Sequence, residues 1–189
     1  MARRLLSLLL LGFIACSTHA VDLSVQAPAT LSAEPAGYED ALVTRVVDGD
    51  TIEIEVTSVV EGPGAGEVQI GGLYDVRLLG IDTPESVKPG TLIECFGREA
   101  SAAAKAFLEG ESVRLVKDVE EKDRYDRLLR YVYVGSEMAN ARLVANGYAA
   151  AYTYPPNVRH ADLFVALQSD AQETARGLWH PDTCAGRGI

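Results

Sequence analysis

Five short runs of strand-forming residues, interrupted once by an alanine-rich segment, constrain this chain more than any other feature. Residues 41–56, "ALVTRVVDGDTIEIEV", read as two strands joined by a turn at Asp48-Gly49. In "VRLLGIDTPES" (76–86), Val76, Leu78, Leu79 and Ile81 suit a pleated, half-buried surface and make a third strand. "FGREASAAAKAFLEG" is helical, with Ala100, Ala103, Ala104, Phe107 and Leu108 on one face and Gly110 as its stop. "SVRLVKD" and "RLLRYVYV" supply two more strands. "MANARLVANG" is a short helix closed by Gly147. "HADLFVALQSDAQETARGLW" is a longer one, with Leu163, Leu167, Ala171, Ala175 and Leu178 along one side. This order predicts an α+β fold, mainly β: a five-stranded, OB-fold-like barrel with about three α-helices. The Gly-rich stretch 57–72 reads as a long hairpin tip, a plain solvated loop.

With 189 residues, 48% of them hydrophobic and 23% charged, the chain can bury the core of one domain. Its net charge of −10 excludes a protein that holds nucleic acid by bulk electrostatics alone. The first 20 residues read as a signal peptide. Arg3 and Arg4 precede the apolar "LLSLLLLGFIA", and "THA" fits a small-x-small cleavage site before Val21. A rival reading is lipidation at Cys16, since "FIAC" partly resembles a bacterial lipobox; a third is an uncleaved anchor. The expected location is secreted or periplasmic, with membrane attachment only if Cys16 is lipidated. Residues 21–40 read as a linker, 41–180 as the domain and 181–189 as a C-terminal tail.

Cleavage leaves 15 basic and 27 acidic side chains, a net charge of −12, and two cysteines, Cys95 and Cys184. Two cysteines in an exported chain suggest one disulfide. Metal binding is a weaker alternative, because His160 and His180 lack zinc-ligand spacing, and two unrelated buried thiols are another.

The polar residues at the strand ends carry the chemistry. Asp48 and Asp50 flank a turn, where an Asp commonly bonds its own backbone. A calcium EF-hand is excluded, because Ile52 stands at its fifth position and the glutamate at its twelfth is missing. Asp82 and Glu85 stand where a strand leaves the core, with Arg77 inside that strand. Hard carboxylate oxygens with a nearby carbonyl suit Ca²⁺. The run "EEKDRYDRLLRY" (120–131) reads either as a solvated turn or as the source of a second guanidinium, Arg127. Two such planar forks beside a cation would clamp a phosphate. Tyr152 and Tyr154 either stack on a base or are partly buried loop aromatics.

Taken in order, "VVDGDTIEI", "VRLLGIDTPES", "ECFGREAS", "DRYDRLLRYVYV", "NGYAAAYTYPPN" and the closing "GLW" resemble the staphylococcal nuclease (thermonuclease) family from about Ala41 to Trp179. The resemblance implies a secreted, Ca²⁺-dependent nuclease that cuts DNA and RNA to 3′-phosphate and 5′-hydroxyl ends. It implies that Asp50, Asp82 and the Thr83 carbonyl hold Ca²⁺, and that Glu85 acts as, or helps orient, the general base. It implies that Arg77 and Arg127 grip the scissile phosphate. Arg124, Tyr125, Tyr152 and Tyr154 would line the nucleotide pocket.

Two departures stand out. Asp126 occupies a turn position where the best-known member has Gly, and adds negative charge beside Arg127. The acidity of the whole chain is the larger departure, so local recognition should dominate over steering. The expected partner is a nucleic acid, single-stranded in preference, with the protein a monomer and no stable protein partner implied. The alternative is a non-catalytic module of the same barrel that binds nucleic acid or a peptide. Retention of Asp50, Arg77, Asp82, Glu85 and Arg127 together favours the enzyme.

Overall fold

A computed structural model describes residues 34–86 and 94–184. The expected signal peptide (1–20), Cys16 within it, most of the expected linker and residues 185–189 lie outside the described residues. Strand β1 (Tyr38–Val46) pairs antiparallel with β2 (Thr51–Val60), and β2 with β3 (Leu73–Leu78). On its other side β1 pairs with β5 (Ser112–Val116), and β5 with β6 (Leu128–Val134). A parallel pairing of β3 with β6 closes the five into a mixed barrel. Two-residue strands finish the sheets: β4 (Ile81–Asp82) pairs with β8 (Ala150–Ala151), and β7 (Glu137–Met138) extends the β6 edge. The expected OB-fold-like barrel is therefore present.

Among the described residues three helices cover it: α1 (Gly97–Leu108), α2 (Ala139–Ala145) and α3 (Ala161–Glu173), followed by a 3₁₀ turn at Gly177–Trp179. Helix α1 buries Ala100, Ala104 and Leu108 of the expected face together with Gly97, while Ala103 and Phe107 pack half-buried against the core. Helix α3 departs from expectation. It ends at Glu173, and Ala175 takes a left-handed φ of 52° that no helix can continue through. Its buried face is Phe164, Leu167 and Ala171, while Leu178 reaches the core from the separate 3₁₀ turn. Phe164 sits three residues before Leu167 and carries the larger ring inward; the expected stripe began one residue too early, at the half-buried Leu163.

Two further expectations need correction. Strand β1 begins at Tyr38, inside the stretch read as linker, because Tyr38, Glu39 and Asp40 already pair with Val60, Val59 and Ser58. The 57–72 segment is not a plain solvated loop. Its first residues continue β2 to Val60, Ala65 is buried, and Val68 packs against the core.

That segment lies over a buried ion network. Arg130 of β6 and Glu39 of β1 are both 0% exposed. Arg130 Nε donates to Glu39 Oε2 at 3.1 Å, and Nη2 donates to Glu39 Oε1 at 2.9 Å and Glu121 Oε1 at 2.6 Å. Nη1 donates to the carbonyls of Leu129 (3.0 Å) and Glu121 (3.2 Å). The loop completes the set: Gly66 N–H donates to Glu39 Oε1 at 2.6 Å, and Glu67 N–H to Glu121 Oε1 at 3.2 Å. A side chain at Gly66 would collide with the guanidinium, so the close approach requires glycine. Buried charges are tolerated when their hydrogen bonds are made, as they are for the Arg130 guanidinium and the Glu39 carboxylate.

Candidate active site

The site begins where β3 and β6 part. Both run parallel, with Arg77 opposite Leu129 and Leu78 opposite Arg130. Buried Asn140, at the start of α2, spans the gap: its Oδ1 accepts Val132 N–H and its Nδ2 donates to Leu79 O, both at 2.9 Å. The chain then turns through Gly80 into β4. Because β4 pairs with β8, Asp82 sits opposite Ala150, and Tyr152 N–H donates to Gly80 O at 2.9 Å. One short two-strand ribbon thus brings Asp82 and the tyrosine segment to the same shelf.

Asp50 enters from the β1–β2 turn and is 6% exposed. Its Oδ2 accepts Thr83 N–H at 2.9 Å and Thr83 Oγ1–H at 3.1 Å, and it forms an ion pair with Arg77 Nη1. Asp48 does what a turn aspartate commonly does: its Oδ1 accepts Asp50 N–H at 3.1 Å. Burial pushes the Asp48 carboxyl above its ordinary value, Glu85 adds to that, and Thr51 and Arg77 oppose it. Asp48 therefore belongs to the site's charge balance as well as to its turn.

Arg77 is held between the two carboxylates expected to bind metal. Its Nη2 donates to Asp82 Oδ1 at 2.8 Å and to Ile81 O at 3.0 Å. Its Nη1 is buried in a close ion pair with Asp50 Oδ2. Burial lowers the guanidinium from its ordinary value, Asp82 opposes that, and Arg127 reinforces it.

Arg127 comes from the other side of the cleft on a turn organised by Asp123. One carboxylate oxygen accepts Tyr125 N–H at 2.9 Å and Arg127 N–H at 3.0 Å, and the other accepts Arg127 Nε at 2.8 Å. Arg127 Nη1 donates to Thr51 Oγ1 at 3.2 Å, which in turn donates to Asp50 Oδ1 at 3.2 Å. Asp123 was not singled out in the sequence. The signal was available, because an Asp two residues before Tyr125 is placed to close an Asx turn.

Tyr125 is 64% exposed, with Arg124 Nη2 donating to its hydroxyl at 2.6 Å and the Arg127 guanidinium 5.4 Å from its ring centre. Tyr152 and Tyr154 lie 6.4 Å apart, Tyr152 half exposed and Tyr154 packed on the core. Their loop is tied to the 119–120 loop by buried Asn157. Its Oδ1 accepts the N–H groups of Val119 (3.1 Å) and Glu120 (2.9 Å). Asn157 was also missed, since an Asn after two prolines reads as an ordinary loop residue.

Two depressions meet here. One, of about 340 Å³, is lined by Arg77, Asp82, Arg124, Tyr125, Arg127, Tyr152 and Tyr154 among others. The other, of about 490 Å³, is lined by Asp48, Asp50, Asp75, Arg77, Asp82, Thr83, Pro84, Glu85, Tyr125 and Arg127. Arg77, Asp82, Tyr125 and Arg127 belong to both, so every site residue expected from the sequence lines one or both. The arrangement offers an oxygen-rich, acidic half and an aromatic, cationic half on either side of two guanidiniums.

Asp50, Asp82 and the Thr83 carbonyl fit a hard divalent cation by donor chemistry, since carboxylates and carbonyls are its preferred ligands. Among the described residues no three acidic, histidine or cysteine side chains converge as a closed metal cluster. A cation here would keep much of its coordination open to water and substrate.

Cys95 and Cys184 form a disulfide with Cα atoms 5.6 Å apart.

The barrel thus carries a polar cleft where β3 parts from β6. The model of the staphylococcal nuclease homologue family matches residues 75–181, and the chain belongs to that family. It is 41% identical over 141 residues to the thermonuclease of Staphylococcus intermedius, covering 75% of this chain and 76% of that one. It is 39% identical over 137 residues to the thermonuclease of Staphylococcus hyicus, covering 72% and 73%. A more distant relative is the SPbeta prophage-derived endonuclease YokF of Bacillus subtilis, 32% identical over 142 residues, with 74% of this chain and 44% of the relative covered.

Proposed function

We propose that this chain is a hydrolytic nuclease that requires a divalent cation, Ca²⁺, and cuts DNA and RNA to 3′-phosphate and 5′-hydroxyl ends. The carrying observation is that Arg77 and Arg127 stand between carboxylates and tyrosines in two depressions that share both guanidiniums. The thermonuclease and endonuclease relatives support the reaction class. The leader-like N-terminus supports release outside the cytoplasm.

Asp50, Asp82 and the Thr83 carbonyl would hold the cation, which when bound supplies positive charge and Lewis acidity at a phosphoryl oxygen. The chain's own residues do the rest. Arg77 and Arg127 present planar forks to phosphate oxygens, and each gains as equatorial charge builds on phosphorus. A bound phosphate competes with Asp50 and Asp82 for Arg77, whose side chain keeps 15% exposure onto the cleft. Glu85 takes the proton of the attacking water as its oxygen bonds to phosphorus; the P–O5′ bond breaks opposite the incoming oxygen and the leaving 5′ oxygen takes a proton from solvent. Tyr125, Tyr152 and Tyr154 offer faces to bases that have left a duplex, which favours single strands. No step uses a ribose 2′-hydroxyl, so DNA and RNA are both substrates.

The test is digestion of an end-labelled oligodeoxynucleotide with Ca²⁺ or with excess chelator, with the fragments then offered to a polymerase as primers. Cleavage only with Ca²⁺, and extension only after phosphatase treatment, are expected. Full cleavage in chelator would remove the cation from the account, and direct extension would reverse the polarity of attack.

A further inference from the structure

The backbone of Glu85 is gripped from one direction. Its N–H donates to Glu94 Oε2 at 2.9 Å, and its carbonyl accepts Glu94 N–H at 2.9 Å. Gly97, at the start of α1, packs so closely that a Cβ there would lie 2.6 Å from the same Glu85 carbonyl oxygen. Glu94 and Cys95 are both exposed. A hydrogen bond between an exposed carboxylate and a backbone N–H competes with water and contributes little on its own. It positions Glu85 only if Glu94 is itself held.

What holds Glu94 is covalent. The next residue, Cys95, is bonded to Cys184 across 89 residues of sequence. Cys184 follows a tail that is anchored in turn: Leu178 is buried, and its N–H donates to Gly147 O at 2.8 Å at the end of α2. On the far side of Cys95, Phe96 stacks on Tyr148 at 5.8 Å, also just after α2. Glu94 is therefore tied to the α2 end of the fold by a disulfide one residue away and a ring stack two residues away. Asp82 and Thr83, by contrast, are fixed by the β4–β8 pairing and by Asp50 and need no such restraint.

We propose that Glu94 is a positioning residue for Glu85, and that the Cys95–Cys184 bond is the clamp that keeps Glu94 in place. The proposal rests on the reading of Glu85 as the proton acceptor. It predicts a defect in turnover and not in substrate binding, because Arg77, Arg127 and the tyrosines are held by other elements. A small displacement of a catalytic group lowers rate steeply.

The test uses the full chain with Ca²⁺ and a labelled oligodeoxynucleotide, below the unfolding midpoint of every variant. Glu94→Ala should lower kcat about ten- to a hundredfold with KM unchanged. Glu94→Gln keeps an oxygen acceptor and should recover most of the loss. The double variant Cys95→Ala/Cys184→Ala should lose a similar factor, and adding Glu94→Ala to it should cost little more. In a Glu85→Gln background neither change should alter the residual rate. Wild-type kcat in Glu94→Ala beside an inactive Glu85→Gln would overturn the clamp alone. Losses from Glu94→Ala and the cysteine variant that multiply would do the same. Wild-type kcat in Glu85→Gln would overturn the role of Glu85, and the clamp with it.

Discussion

Arg77 and Arg130 occupy successive register positions on the paired strands β3 and β6, yet they have opposite fates. Each is flanked by two carboxylates: Asp50 and Asp82 for one, Glu39 and Glu121 for the other. Arg130 is fully buried, and each of its guanidinium nitrogens donates at least one hydrogen bond. Arg77 retains 15% side-chain exposure and opens onto a cleft. An arginine between two acids is therefore not a functional signal in itself. A fully buried set makes a structural plug; a set that opens onto a cleft makes a place for an anion. The difference follows from strand alternation, which sends neighbouring side chains to different environments.

The largest effect expected is on the closed cluster. Glu39→Ala should cost about 3–5 kcal/mol in urea denaturation, because it leaves Arg130 buried without its main counter-charge. Activity per folded molecule should hardly change. A cost below about 1 kcal/mol would mean that water or the 61–72 segment can take over the role of Glu39.

Next comes Arg127→Ala on the open side. It should reduce the hydrolysis rate by about 10²–10³, about 3–4 kcal/mol in the barrier, with little shift in the unfolding midpoint. Asp123 would still receive the N–H groups of Tyr125 and Arg127, so the turn survives. A large loss of stability with a normal rate would place Arg127 with Arg130 as a structural residue.

A second closed cluster extends the comparison to pH. Glu34 accepts hydrogen bonds from Tyr133 and from Arg159 Nη1 at 2.9 Å, and contacts His160 Nε2 at 2.5 Å. Burial alone would raise its carboxyl; the bonds from His160 and Tyr133 and the charges of His160 and Arg159 outweigh burial and hold it below its ordinary value of 4.5. A carboxylate depressed on folding stabilises the fold above its unfolded value and loses that contribution as pH falls through the folded one. Wild-type stability should therefore drop as pH falls below about 4.5, and Glu34→Gln should flatten that limb. An identical acid limb in both would show that the network is not closed in solution.

The smallest effect concerns Asp126, which sits at φ 68°, is largely exposed, and pairs with Lys122. Asp126→Gly removes a left-handed residue and a negative charge beside the Arg127 turn. Stability should rise by at most about 1 kcal/mol, and KM for an oligonucleotide should fall. An unchanged KM would show that the charge at 126 is too exposed to be felt by substrate.

How much of this the sequence reveals depends on how local the signal is. The strands declare themselves by β-branched runs, and the sites at Asp50, Arg77, Asp82, Glu85 and Arg127 by polar residues placed at strand ends. Arg130 lies inside "RLLRYVYV", where nothing local distinguishes it from a solvent-facing arginine; its partner Glu39 is 91 residues away. Its burial depends on tertiary pairing that no periodicity encodes. Glu94 is equally silent, because its role depends on the return of the chain to Glu85 and on a disulfide to residue 184. The β1 start was obscured because two of its first residues, Glu39 and Asp40, are acids whose side-chain partners Arg130 and Arg114 lie 91 and 74 residues away. The α3 face was misread because a helix stop at Ala175 carries no glycine to announce it.

The most direct test makes the same conservative change at both neighbours. Arg77→Lys and Arg130→Lys each keep the charge and lose the planar fork. The quantity to measure is the hydrolysis rate of a labelled oligonucleotide with Ca²⁺, normalised to the folded fraction of each protein. Arg77→Lys should lose about 10²-fold or more, and Arg130→Lys should turn over at nearly the wild-type rate however much stability it has lost. Equal losses in the two, or a normal rate in Arg77→Lys, would contradict the division into an open site and a closed plug.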